Sequence, residues 1–136
     1  MEGLGVMIKK LNCNKKSVTA IQKGLNQTIK KVWLDEDTNP ERLRFEFENG
    51  YKMSILDNKK GCCEYRYMST DYDLSLYSGA KLLDLELKDG GEYQDGSDEH
   101  DIMFLDVITD KGVFVICTHN IHNGYYGGFA IEAQED

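Results

Sequence analysis

Between Arg42 and Glu48 apolar and charged side chains alternate without a fault, Leu43, Phe45 and Phe47 standing against Arg42, Arg44, Glu46 and Glu48. A helix would scatter these residues around its axis. A strand, whose side chains repeat every second residue, gathers the apolar ones on one face and the charges on the other. Asn49-Gly50 follows, a dipeptide tolerant of positive φ that predicts a two-residue hairpin turn, and Tyr51, Met53 and Ile55 then resume the alternation. Two antiparallel strands with one apolar face need a second layer to cover that face. A chain of 136 residues is long enough to supply such a layer around a single core and too short for two independent domains.

The remaining segments fit the same plan. Ser17, followed by Val18, Ala20, Ile21 and Leu25, reads as the N-cap of a short helix with Gly24 near its end. A strand is expected within Gln27 to Asp37, ending before the sole proline, Pro40. Cys62 to Tyr67 is a compact aromatic and thiol segment, and Tyr72 to Tyr77 predicts one helical turn before Gly79. Leu82 to Leu87 reads as a strand, and the acidic, glycine-bearing stretch Lys88 to Glu99 as a mobile loop. Ile102 to Thr109 and Val113 to Thr118 are apolar on both faces for part of their length, which predicts central strands joined as a hairpin over Asp110-Lys111-Gly112. A last strand is expected from Tyr125 to Ala133 with Phe129 and Ile131 inward, and the tail Gln134-Glu135-Asp136 is expected to fray. The expectation is a mostly β fold with a minor α+β character: about seven antiparallel strands curled into a sandwich or half-barrel, with one short amino-terminal helix. Residues 1–136 form one domain, preceded within it by a basic segment over 1–16. The charges of Arg42 to Glu48 are those of a guarded edge strand.

The net charge of −8 is unevenly spread: Met1 to Trp33 carries seven lysines against Glu2 alone, so that part is +6 and Leu34 to Asp136 is −14. An acidic body repels a phosphate backbone and attracts a basic protein surface, which disfavours nucleic acid as a partner. No stretch approaches the ~18 apolar residues of a membrane span, and the first residues lack the apolar core of a secretory signal, so a soluble cytoplasmic protein is expected. Cys13, Cys62, Cys63 and Cys117 match neither a zinc ribbon nor a CxxC motif and read as reduced thiols, Cys117 packing as a small hydrophobe.

The run Thr118 to Gly128 concentrates the candidate chemistry. His119, Asn120, His122, Asn123, Tyr125 and Tyr126 offer directional hydrogen bonds and stacking surfaces between glycines that let a ligand approach. The same residue types also suit an elaborate hairpin. His119 and His122 with Cys62, Cys63 or Glu64 supply zinc-ligand chemistry, but an i, i+3 pair on a strand points to opposite faces and no fourth ligand is signalled. A Cys-His nucleophilic pair lacks an orienting third group and an oxyanion pocket. Asp95, Asp98, Glu99 and Asp101 do not follow the order of a calcium-binding loop and read as solvated. With no P-loop, dinucleotide fingerprint, nucleophile elbow or zinc-protease helix, the expectation is a protein without catalysis or cofactor.

Three features, Cys62-Cys63-Glu64, the stretch from Asp73-Leu74 to Ser78-Gly79-Ala80-Lys81, and Thr109-Asp110-Lys111-Gly112-Val113 leading to Asn123-Gly124-Tyr125-Tyr126, resemble a family of small uncharacterised phage and bacterial domains over Leu25 to Ala133. The resemblance implies no residue roles. It implies a setting in which small accessory proteins disarm host immunity by stoichiometric binding. The first expectation is therefore a non-enzymatic, anti-CRISPR-like inhibitor of a bacterial antiviral defence effector, acting through its acidic surface on a basic protein in the host bacterial cytosol. The alternative is a sponge for a nucleotide signal, with His119, Asn120, Tyr125 and Tyr126 facing a wall made by Cys62 to Tyr67. A symmetric homodimer through another surface stays open.

Overall fold

The computed structural model describes residues 15–59, 64–95, 98–122 and 129–136, with the side chains of 93–95 left aside. Its elements are helix α1 (Lys15–Gly24) and strands β1 (Ile29–Asp35), β2 (Arg42–Phe47), β3 (Lys52–Asp57), β4 (Tyr65–Ser69), β5 (Leu82–Asp95), β6 (Asp98–Thr109), β7 (Gly112–His122) and β8 (Ile131–Glu135), with a 3-10 turn over Leu74–Tyr77. The strands form two four-stranded antiparallel sheets, ordered β1-β2-β3-β8 and β4-β7-β6-β5. The expected sandwich is present, with eight strands and no closed barrel among the described residues.

The β2–β3 hairpin has the expected partners, Leu43 opposite Ile55 and Phe45 opposite Met53. Its connection is three residues long. Phe47 and Tyr51 close the ladder, the Gly50 amide donates to the Phe47 carbonyl, and Gly50 alone takes the positive φ of +89°. That is the turn-plus-glycine arrangement favoured by three-residue hairpins. The alternation places Leu43, Phe45, Phe47, Met53 and Ile55 in one core with Leu85, Leu87, Leu105, Val107, Phe114 and Ile116 from the second sheet.

Several expectations are corrected by pairing. β2 lies inside its sheet, and its charges serve its neighbours: Arg44 donates to Asp35 at 2.7 Å and to Asp136 at 2.9 Å. The carboxy-terminal tail is fastened. The Asp136 amide donates to the Lys52 carbonyl, its carboxylate accepts from Ser54 Oγ at 2.8 Å, and Glu135 pairs with Lys23. Ser17 sits inside α1, fully buried, where its Oγ accepts from the Ala133 amide on the open edge of β8. A serine that reads as a cap is instead the joint between the helix and the first sheet.

The acidic stretch expected as a mobile loop is strand: β5 pairs with β6 from Leu82↔Thr109 to Asp95↔Asp98. Its glycines serve close approach and a bulge. A Cβ on Gly90 would fall 2.7 Å from Ile102, and the ladder shifts register between Asp89 and Gly91, where φ is +93°. On one side the sheets are stitched together by the bridge Thr28↔Lys81 and by hydrogen bonds linking Asn26 to Leu82 and Ile29 to Ala80. The stitched side and the helix-covered edge of β8 leave an end of the sandwich where the interior turns polar.

Candidate functional site

Strand β7 supplies both halves of the candidate site. Its buried positions are Phe114, Ile116, Thr118, Asn120 and His122, so even-numbered residues face the first sheet and odd-numbered ones the opposite side. Toward the end of the strand the inward set changes from apolar to polar. Arg66 on β4 pairs with Asn120, and Asn120 with Asp101 on β6, forming a polar row across the inner face of the second sheet.

That inner row is a charged network inside the protein. Arg66 Nη1 donates to Asp57 Oδ2 at 2.6 Å, an ion pair that crosses from the second sheet to β3 of the first. Arg66 Nη2 donates to Glu64 Oε2, which also accepts from Asn120 Nδ2 at 2.9 Å. Next to it, His122 Nε2 lies 2.8 Å from Asp101 Oδ2. The carboxylate side chains of Asp57 and Glu64 are only 4% and 2% exposed, so desolvation is costly and the guanidinium between them offsets it. The network is incomplete: Glu64 Oε1 and Asn120 Oδ1 are buried and have no hydrogen-bond partner among the described residues. A buried acceptor left unmatched costs roughly 1–3 kcal/mol, so these two oxygens call for a donor. Glu64 lines a cleft of about 640 Å³ together with Asn39, Glu41, Asp57, Lys59 and Arg66 among others, and Asn120 lies behind it, bonded to Glu64.

The outer face of the same sheet carries a different chain of groups. Ser69 Oγ on β4 lies 2.8 Å from His119 Nε2 on β7, and His119 Nδ1 lies 2.9 Å from His100 Nε2 on β6. Tyr67 stacks on the His119 ring with centroids 4.2 Å apart and planes 7° from parallel. Burial, and then the neighbouring His100, hold the proton affinity of His119 below the ordinary imidazole value of 6.5. Burial also pushes the Cys117 thiol up, with Asp71 adding to the effect, so Cys117 stays a neutral thiol.

The predicted site residues are therefore divided. Glu64, Asn120 and His122 belong to the inner network, Glu64 and Asn120 in direct contact. His119 is on the outer face, so His119 and Asn120 cannot converge on one ligand, and His119 and His122 have separate partners. All three lie on β7, which runs on to His122, past the end expected for it at Thr118. Cys62, Cys63, Asn123, Tyr125 and Tyr126 lie outside the described residues. Asp101, expected as a solvated loop acid, is buried against His122. Asp57, His100 and Ser69 were not singled out by sequence. Only the face each strand presents could have signalled them, and the pairing that unites them joins positions as far apart as Ser69 and His119.

Residues 13–131 match the model of a family described as Domain of unknown function (DUF7448), and the chain belongs to that family. No curated protein and no solved structure matches it at a significant level.

Proposed function

We propose that this member of the DUF7448 family is a binding protein that takes a basic side chain of a protein partner, a lysine or an arginine, into the cleft at the polar end of the sandwich. The observation that carries this reading is the buried, unmatched Glu64 Oε1 beside the unmatched Asn120 Oδ1. Both are acceptors, and an ammonium or guanidinium brings donors together with the charge that a cleft holding Glu41, Asp57 and Glu64 against Lys59 and Arg66 lacks. The −14 borne by Leu34 to Asp136 adds long-range attraction for a basic surface and speeds encounter with it. A nucleotide fits less well: Arg44 and Arg66 each hold two carboxylates, so a phosphate entering there meets acids first. The setting we propose is phage or mobile-element biology, with the protein acting stoichiometrically on a bacterial antiviral defence effector in the host cytosol. Support for that setting is the sequence resemblance and the acidic body.

Calorimetric titration with short lysine- and arginine-containing peptides, beside norleucine controls, tests the cleft. Binding is expected for the basic peptides alone, to weaken steeply as salt rises, and to fall about tenfold in Glu64→Gln, the equivalent of one charge-assisted hydrogen bond. Equal affinity for norleucine peptides, or none for either, ends the proposal. Unfolding curves for Glu64→Gln confirm that the comparison is made on folded protein.

A further inference from the structure

We infer that Ser69 is an activated nucleophile, its hydroxyl primed by His119 and that imidazole held by His100, which attacks the acyl carbon of a carboxylic ester lying on the outer face of the second sheet. The three residues come from three adjacent strands, β4, β7 and β6, and form one hydrogen-bonded line with spacings of 2.8 and 2.9 Å. A nucleophile, a base in contact with it and a third group orienting the base are three of the parts that serine-based acyl transfer requires, the fourth being donors for the oxyanion. Among the described residues the one cysteine, Cys117, is half-buried and its thiol is held neutral, so it offers no comparable nucleophile.

The line has a consistent proton order. With Ser69 Oγ–H donating to His119 Nε2, the His119 proton is on Nδ1 and donates to His100 Nε2, leaving the His100 proton on Nδ1. His119 is thus a free base toward the hydroxyl, and its lowered proton affinity keeps it so at neutral pH. Stacked Tyr67 fixes the plane of the ring. Besides His100 and Tyr67, the titratable groups on this face near the line include Tyr65, in ring contact with Tyr67, Cys117, opposite Ser69 in the ladder, Asp71, which acts on Cys117, and Lys88, opposite Phe104. Across the ladder the surface becomes apolar, with Phe104 opposite Cys117 and Ile102 opposite His119, both half-buried. The substrate class this surface suits is an ester with an uncharged, apolar acyl group.

In the step, the Ser69 Oγ–acyl carbon bond forms as the proton passes from Oγ to His119 Nε2. The bond from the acyl carbon to the alcohol oxygen then breaks, and His119 returns its proton to the departing alkoxide, releasing the alcohol. Water then attacks the acyl carbon as His119 Nε2 takes its proton, the acyl carbon–Oγ bond breaks, and His119 returns the proton to Oγ, giving the carboxylic acid and the Ser69 hydroxyl. Ser69 and His119 are the catalytic residues; His100 is a positioning residue.

The test uses the full chain with a fluorophosphonate probe, which forms an Oγ–phosphorus bond and releases fluoride and the serine proton, and with p-nitrophenyl butyrate. Mass spectrometry is expected to find one adduct, on Ser69, absent in Ser69→Ala, with labelling slowed at least about 100-fold in His119→Gln. In the native protein the labelling rate should rise along a single ionisation centred below 6.5. His100→Gln should move that rise to higher pH, because a neighbouring imidazole no longer opposes protonation of His119. A purely structural role for His100 would lower the rate without moving the profile. The inference is overturned if native protein labels no faster than Ser69→Ala, if its profile is flat across that range, or if His119→Gln labels at the native rate. None of these outcomes bears on the cleft, which lies on the other face of the sheet.

Discussion

His119 and His122 are three residues apart on one strand and have opposite environments. His122 points inward, 3% exposed, against a buried aspartate, beside a network whose carboxylates, Asp57 and Glu64, are almost wholly removed from water. His119 points outward into a half-open line of neutral donors and acceptors, stacked on a tyrosine. The same side chain is thus part of a desolvated ionic scaffold in one position and a free base in the other. The difference is the two-residue period of the strand: an odd step of three reverses the face, and the face selects the dielectric and the partners.

The comparison breaks most visibly at Arg66. Arg66→Ala leaves Asp57 and Glu64 buried without their shared cation and is expected to cost about 3–5 kcal/mol in urea unfolding. Asp101→Ala removes the inward partner of His122 and should cost about 1–3 kcal/mol, the range for a buried polar group left unmatched. Ser69→Ala, its counterpart on the outer face, should stay within about 1 kcal/mol, because water can replace a half-exposed hydroxyl. Equal losses for Asp101→Ala and Ser69→Ala would show that the two faces are not so differently solvated.

The smallest effect is the dependence on pH. Folding lowers the proton affinity of His119, so below the ordinary value of 6.5 the unfolded chain takes up the proton more readily than the folded one. The stability tied to this group is fully present above 6.5 and is lost as pH falls toward the folded value. Urea midpoints measured at about pH 5 and about pH 8 should therefore differ less in His119→Gln than in the native chain. An unchanged difference would assign the pH dependence to other groups.

Much of the fold was legible locally. Alternation in Arg42 to Glu48 and the apolar runs on either side of Asp110-Lys111 become the elements they predict, and Asn49-Gly50 marks the hairpin, though with three connecting residues where two were expected. The misreadings are residues whose local meaning is overridden at a distance. Ser17 has the chemistry of a cap and spends its oxygen on Ala133. Gly90 and Gly91 look like loop residues and instead let β5 pass close to Ile102 and continue. Gln134 to Asp136 look like a fraying tail and are held by Lys52, Ser54, Arg44 and Lys23.

The candidate residues show the same division. Glu64, His119, Asn120 and His122 stand out in the sequence for their chemistry, since imidazole, amide and carboxylate are where hydrogen-bonding and proton transfer reside. Which of them act together could not be read there. The sequence alone determined a two-layer β protein with an acidic body, because side-chain period, turn chemistry and charge are properties of neighbouring residues. Only the tertiary structure decided that Arg66 joins the sheets and that Ser69, His119 and His100 form a line. Those contacts depend on strand order and register, which are fixed by how the whole chain packs its core.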